Sequence, residues 1–382
     1  MAWWCSRPVA APDCGGPAVP DFGGPEVSAR SKFLYARYLS IVLAIAGVVA
    51  LTLLPMPYVI FSPGPTVNVL GKVEGREVIA IKGREKFRDD GELRLTTVVV
   101  TSQSGKVNLF ETMQAWLSDD QAVYPRDVVY KEDDTPESVR QESAAQMTSS
   151  QDAAVAAALT QLKIPFSPVV KVLSVVPDGA SDGKLEKGDI VVSANGKPAP
   201  DAVALTDAIK EVKIGAPVKF VVRRDGKELP VTVKTVASET KPTRPVVQVV
   251  VGRGYEFPFE VDLSVGDAIG GPSGGLTFAL GIYDLLTPGS LTGGKDIAGT
   301  GEINAEGQVG GIGGIQQKIA ASQEAGAKLF LVPPSNCTEA AAANYDPKKM
   351  RLVKAETLGD VIESLETWTK DPAAKLPTCS PK

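Results

Sequence analysis

The sequence predicts an α+β protein behind a single membrane-spanning helix, and three observations carry that reading. An uncharged apolar run over 39–61 follows a basic flank of Arg30, Lys32 and Arg37. Beyond it, short β-rich runs such as Val78-Ile79-Ala80-Ile81 alternate with amphipathic or alanine-rich helical stretches. Finally, Ile269-Gly270-Gly271-Pro272-Ser273-Gly274-Gly275-Leu276-Thr277 sets one serine in a Pro/Gly turn at the head of an apolar helical run. The 382 residues suffice for two or three domains, and the net charge of -5 argues against a nucleic-acid surface.

Residues 1–37 read as a disordered cytoplasmic tail, rich in Pro, Gly and Ala over its first part. The apolar run exceeds the roughly 20 residues that cross a bilayer, which places the span at 38–61. Its basic flank, with no charge on the far side until Lys72, puts the N-terminus in the cytoplasm. A cleaved signal peptide competes, but no A-x-A site follows the apolar core. β-rich runs occupy 66–101, and a short helix is expected over 108–117. The span 118–148 reads as a charged, partly helical excursion. Ser149-Ser150-Gln151-Asp152 is expected to open an alanine-rich helix to about 162, with serine as its cap.

A smaller unit follows. A strand over 169–176 leads through Pro177-Asp178-Gly179 to a second strand that ends at Asn195-Gly196. An amphipathic helix covers 201–212, and two runs flank Asp225-Gly226 as a hairpin. A linker spans 237–245, and a strand over 246–251 then leads towards the serine turn.

The chain contains no histidine, so Ser-His-Asp and Cys-His arrangements are excluded, as are His-ligated metals. A nucleophilic Ser273 would need a lysine, a carboxylate or a terminal amine as its base. Lys318 is a candidate, one turn into a helix that follows the glycine-rich run Gly307-Gln308-Val309-Gly310-Gly311-Ile312-Gly313-Gly314. To act near neutrality it must lose about three units from ~10.4; the alternative is an ordinary solvated lysine. The four cysteines form no CxxC pair, so neither cofactor nor metal is called for. Cys337 and Cys379, the two beyond the span, can pair in an oxidising compartment or remain free thiols.

Gly-Pro-Ser-Gly-Gly, then Thr-Gly-Glu, then Gly-Gly-Ile-Gln-Gln-Lys resembles the proteolytic domain of Lon proteases, which uses a Ser–Lys dyad. The smaller unit, with Leu185-Glu186-Lys187-Gly188-Asp189-Ile190 at its centre, resembles a PDZ domain. Together with an anchor, and without a GxxxxGK[ST] phosphate loop in the sequence, these features resemble the Lon-like, PDZ-containing membrane proteases. The resemblance implies Ser273 as nucleophile and Lys318 as general base, with Thr300 holding the lysine amine. Thr277 and the backbone at Gly271 and Gly274 are supporting elements. It further implies a PDZ domain inserted in the protease domain: 62–163 and 238–370 would pack together around a PDZ domain at 164–237, followed by a tail at 371–382. The peptide groove is expected between the strand near 169–175 and the helix over 201–212, although no GLGF-like carboxylate loop is visible. Gly270 stands where many Lon enzymes carry an aspartate, and the nearest upstream acid is Asp267. The expected function is an ATP-independent endopeptidase with its catalytic domain outside the cytoplasm. Its partners would be protein or peptide substrates and the membrane; the resembled Lon enzymes form rings of identical copies, and no feature of this sequence decides between a monomer and a homo-oligomer. The rival is a non-catalytic peptide-binding scaffold with the same two domains.

Overall fold

The computed structural model describes residues 29–266 and 269–379; residues 1–28 of the expected tail at 1–37, with Cys5 and Cys14, and Asp267 lie outside the described residues, whereas 29–37, expected in that tail, are helical. The chain divides into Met1–Leu54 and Pro55–Lys382. The first unit holds helix α1 (Ala29–Leu53). Within it Phe33–Leu53, 21 residues, is apolar and unburied, long enough to cross a membrane by length and composition. The expected span to 61 is corrected. Pro55 and Pro57 lack the N–H groups a helix needs, and Tyr58-Val59-Ile60-Phe61, β-branched and aromatic, begins a strand.

In the second unit the chain forms β1 (Pro55–Met56), β2 (Tyr58–Asn68), β3 (Glu92–Val100) and β4 (Val107–Asn108). Helix α2 (Leu109–Trp116), β5 (Ala122–Pro125), the short α3 (Arg126–Val129) and the long α4 (Pro136–Gln161) follow. The smaller unit contributes β6 (Ser167–Val175), β7 (Ile190–Ala194), α5 (Ala202–Lys210), β8 (Pro217–Arg224) and β9 (Lys227–Lys234). The chain then returns through β10 (Val249–Glu256), α6 (Gly275–Leu286), β11 (Asp296–Gly299), α7 (Ile315–Glu324), β12 (Leu329–Val332) and β13 (Arg351–Lys354).

The architecture is the mixed helix-and-strand class that the sequence predicts. One six-stranded sheet, ordered β13-β12-β11-β3-β2-β5, joins strands from before and after the smaller unit. β3 runs antiparallel to β2 but parallel to β11, with Gly299 opposite Leu95. The apolar helix α6 packs into a core with Leu93, Leu95, Ile297, Leu329 and Leu331. Alanine lets α4 approach closely, and Ala154, Ala156, Ala157 and Ala158 are all buried. That helix begins well before the expected Ser149: Thr135 caps it, in a reciprocal box with Ser138, and Pro136 occupies its first turn. The serines at 149 and 150 lie mid-helix. At α2 and α5 the expected helix starts hold, because Asn108 and Asp201 cap them and accept from first-turn N–H groups.

The smaller unit has its own core around Val172, Leu185, Val191, Leu205, Phe220 and Val233. Its sheet is ordered β9-β8-β7-β6-β10, so its outer strand lies beyond the expected boundary at 237. A disulfide joins Cys337 to Cys379 and holds the C-terminal segment to the body.

Candidate active site

Three chain segments meet at Ser273. The Pro/Gly turn delivers the serine to the start of α6, the loop after β11 brings Thr300, and α7 brings Lys318. Gly301 N–H donates to Ser273 O at 2.9 Å and Leu276 N–H donates to Gly301 O at 3.0 Å, stitching the second segment to the first. α7 starts from Gly314, which takes a left-handed φ of 69°. A Cβ there would lie 2.8 Å from Val98, so glycine lets α7 approach β3 closely.

The result is a compact polar cluster in an apolar setting. Lys318 Nζ is hydrogen-bonded to Ser273 Oγ at 2.8 Å and donates to Thr300 Oγ1 at 2.9 Å. Thr300 in turn donates to Ser273 O at 3.0 Å. Lys318 is only 3 % exposed, and burial lowers its pKa to about 7. An amine with that pKa is substantially neutral near pH 7 and can accept a hydroxyl proton.

The other predicted residues divide. Thr277 is fully buried and donates to Gly299 O at 3.2 Å, tying α6 to the end of β11 rather than touching the amine. Gly271 N–H is already committed to Ser143 O at 3.1 Å. Among the described residues, the N–H groups of Ser273 and Gly274 donate to no protein acceptor, so they narrow the expected donor stretch at 271–274. Both stand at the N-terminus of α6, where the helix dipole favours negative charge. Sequence reasoning missed the support that α4 gives this turn: Ser150 Oγ donates to Pro272 O at 2.8 Å. Ser150 lay in a quoted motif, but its expected capping role hid this contact. A cleft of about 630 Å³ opens beside the cluster, lined by Leu95, Val98, Met147, Pro272, Gly313 and Lys318. Residues 97–100 of β3 extend past the end of β11 along this cleft.

A second cavity, about 280 Å³, lies in the smaller unit among Leu185, Val191, Leu205, Ile209 and Phe220. Its location corrects the expected groove. The strand that faces α5 across the cavity is the first part of β10, because β6 is enclosed between β7 and β10. The loop entering β10 closes the cavity. Val247 is buried, and Gln248 adopts a left-handed φ of 53°. Among the described residues, the N–H groups of Val247 and Gln248 have no protein acceptor. The sequence shows no GLGF-like carboxylate loop; these two N–H groups stand after the unit's last local strand, β9.

Asp152 of α4 joins the two regions. Its carboxylate accepts from Lys171 of β6 at 2.8 Å, and burial raises its pKa even against that partner.

Comparisons with known proteins match two stretches of the chain. Residues 266–367 match the family model of the Lon protease (S16) C-terminal proteolytic domain, and residues 145–235 match that of the PDZ domain. The Lon protease of Geobacter metallireducens is 36% identical over 106 residues, covering 27% of this chain and 13% of that one. Peroxisomal Lon protease homolog 2 of Caenorhabditis elegans is 38% identical over 96 residues, 25% of this chain and 12% of that one. The chain thus spans about an eighth of the length of the curated relatives it matches. Among solved structures, the PDZ domain of the SdrC-like protein from Listeria innocua is 25% identical, with a TM-score of 0.20, covering 22% of this chain and 92% of that one. The chain carries a Lon-type C-terminal proteolytic domain and a PDZ domain.

Proposed function

We propose that this combination of a Lon-type proteolytic domain and a PDZ domain acts as a membrane-anchored, ATP-independent serine endopeptidase working outside the cytoplasm. The observation that carries the reading is the buried Lys318 amine at 2.8 Å from Ser273 Oγ, with its pKa near 7. In this reading Lys318 takes the hydroxyl proton as Ser273 Oγ attacks the scissile carbonyl. The oxyanion is held by the N–H groups of Ser273 and Gly274 at the head of α6. Lys318 then returns the proton to the leaving amine, and water attacks the acyl-enzyme by the reverse route. Thr300 keeps the amine aimed at Oγ by accepting one of its N–H bonds.

An extended substrate can run along residues 97–100 of β3, whose edge lines the cleft. No P-loop motif occurs in the 382 residues, so substrates are taken as already unfolded or extended. The PDZ cavity supplies a place for an exposed tail, with an apolar terminal side chain among Leu185, Leu205 and Phe220 and its carboxylate at the N–H groups of Val247 and Gln248. The basic flank of α1 orients the N-terminus to the cytoplasm, and the Cys337–Cys379 disulfide suits an oxidising exterior.

The test is cleavage of unfolded casein by the wild-type protein, Ser273→Ala and Lys318→Ala. Both variants should lose at least ~10³-fold in kcat, in the range seen for other nucleophile–base pairs. Equal cleavage by all three proteins would place the chemistry elsewhere, and cleavage by none would favour the peptide-binding scaffold.

A further inference from the structure

A group of outward-facing apolar side chains has no role in either cavity. It gathers where the folded body begins. β1 pairs with β4, Pro55 opposite Asn108 and Met56 opposite Val107, and Asn108 is the N-cap of α2. One step on, Arg126 N–H donates to Pro57 O at 3.0 Å and Tyr58 stands opposite Pro125. Both α2 and α3 therefore start from the corner at 55–58. On α2, Thr112 and Ala115 are buried, while Phe110, Met113 and Trp116 face outward. Leu117, just past the helix, is 84% exposed and Val128 on α3 is 71% exposed. Trp116 also meets Tyr58 edge to face, with ring centroids 5.6 Å apart. Single exposed apolar residues are ordinary on a soluble surface, but several gathered at one corner signal a contact.

We propose that this corner is a second membrane contact, in which the outward faces of α2 and α3 rest in the headgroup–acyl boundary of the bilayer that α1 crosses. The inference rests on the anchor reading above. Three features single out lipid as the occupant. The chain length comes first: α1 ends at Leu53 and β1 starts at Pro55, so two peptide steps, roughly 7 Å, separate the end of the span from the strand that registers with Asn108. The composition is the second: tryptophan and phenylalanine flanked by aliphatic residues suit the interface, where an apolar body meets a polar boundary. Charge is the third. Glu111, Asp119 and Asp127 outnumber the exposed Lys106 at this corner, and the Arg126 guanidinium is taken up by the Gln103 and Gly105 carbonyls, so the patch is built for apolar insertion and not for adhesion to anionic headgroups. Neutral lipid should suffice, and salt should have little effect.

The experiment reconstitutes the full chain, with Trp3→Phe and Trp4→Phe, in vesicles of phosphatidylcholine. A parallel sample uses phosphatidylcholine brominated near the top of its acyl chains, and the same chain with Trp116→Phe gives the Trp116 component by difference. Trp368, the remaining tryptophan, is buried and serves as the internal standard. The Trp116 component should fall by at least about twofold in brominated vesicles, equally at low and high salt, while aqueous acrylamide reaches it poorly. Flotation of the vesicles reports the anchor separately. Protein that floats while Trp116 stays open to acrylamide and untouched by bromine overturns the contact but leaves the anchor standing. Protein that floats with Trp116 shielded from both quenchers, and with Met113→Cys crosslinking between copies, assigns the face to a second copy and overturns the lipid contact. Protein that fails to float removes both readings.

Discussion

Lys318 is the residue on which the most chemistry converges, and its pH behaviour has a definite sign. The unfolded chain holds the lysine proton up to its ordinary value of 10.5, whereas the folded chain releases it at about 7 because burial opposes the charge. Below pH 7 the amine is charged and cannot take the serine proton. The expected kcat/KM on a peptide substrate therefore rises with pH through a midpoint near 7 and then levels off; a profile flat from pH 5 to 9 would contradict the assignment. Linkage gives the companion effect. Between pH 7 and 10.5 the unfolded state binds more protons, so this group makes stability rise with pH across that window. At pH 7 the buried amine costs up to ~4 kcal/mol at 1.36 kcal/mol per unit. Lys318→Met should thus raise the unfolding free energy at pH 7, by an increment that narrows towards pH 10 in urea titrations. The pairing of Ser273 with Lys318 was legible from the resemblance to the Lon proteolytic domain, helped by the lack of histidine, and the structure brings the two side chains to 2.8 Å. Which N–H groups stay open was less legible, since a glycine run does not reveal which is already spent; among the described residues Gly271 N–H donates to Ser143 O, and Gly274 N–H to no protein acceptor.

Among the elements, α7 depends on how its first turn is entered. Gly314 combines a φ of 69° with a missing side chain where a Cβ would meet Val98 at 2.8 Å. Gly314→Ala must push α7 away from β3 and carry Lys318, one turn on, with it. We expect kcat to fall by roughly 10–100-fold, since displacements of about 1 Å cost that much, with KM little changed. Steady-state kinetics with a fluorogenic peptide would decide the point, and an unchanged kcat would show that the helix start has slack. The same scale shows where the sequence misleads. Ser149-Ser150 has the composition of a helix cap, yet the stronger box at Thr135 with Pro136 starts α4 earlier. Ser150 is then free to hold the Pro272 carbonyl. At the other boundary, hydropathy ran the span past Pro55, although hydropathy alone cannot separate a membrane helix from a buried strand such as the start of β2.

For the whole molecule, the decisive feature is that the PDZ domain is not closed by its own segment of sequence. Residues 164–237 carry the strands, the helix and most of the core, and these were legible from turns and periodicity. The outer strand β10, the buried Val247 and the loop at Gln248 come from the chain after that segment. Turn signals mark the ends of local hairpins, but a strand that pairs across roughly 75 residues leaves no local trace. β10 pairs with β6 along its whole length, from Val249 opposite Val175 to Glu256 opposite Ser167. A fragment of 164–237 would therefore expose the β6 edge and leave the pocket beneath Val247 open. A fragment of 164–258 contains both sides of that pairing. The longer fragment should give dispersed amide resonances and a cooperative thermal transition, and the shorter one collapsed, poorly dispersed spectra. The longer fragment should also bind peptides ending in a free carboxylate and an aliphatic residue, with amidation of that terminus abolishing binding. Equal folding of the two fragments would mean that β10 merely borders the domain. Folding without discrimination between carboxylate and amide would remove the N–H groups of Val247 and Gln248 from the recognition site.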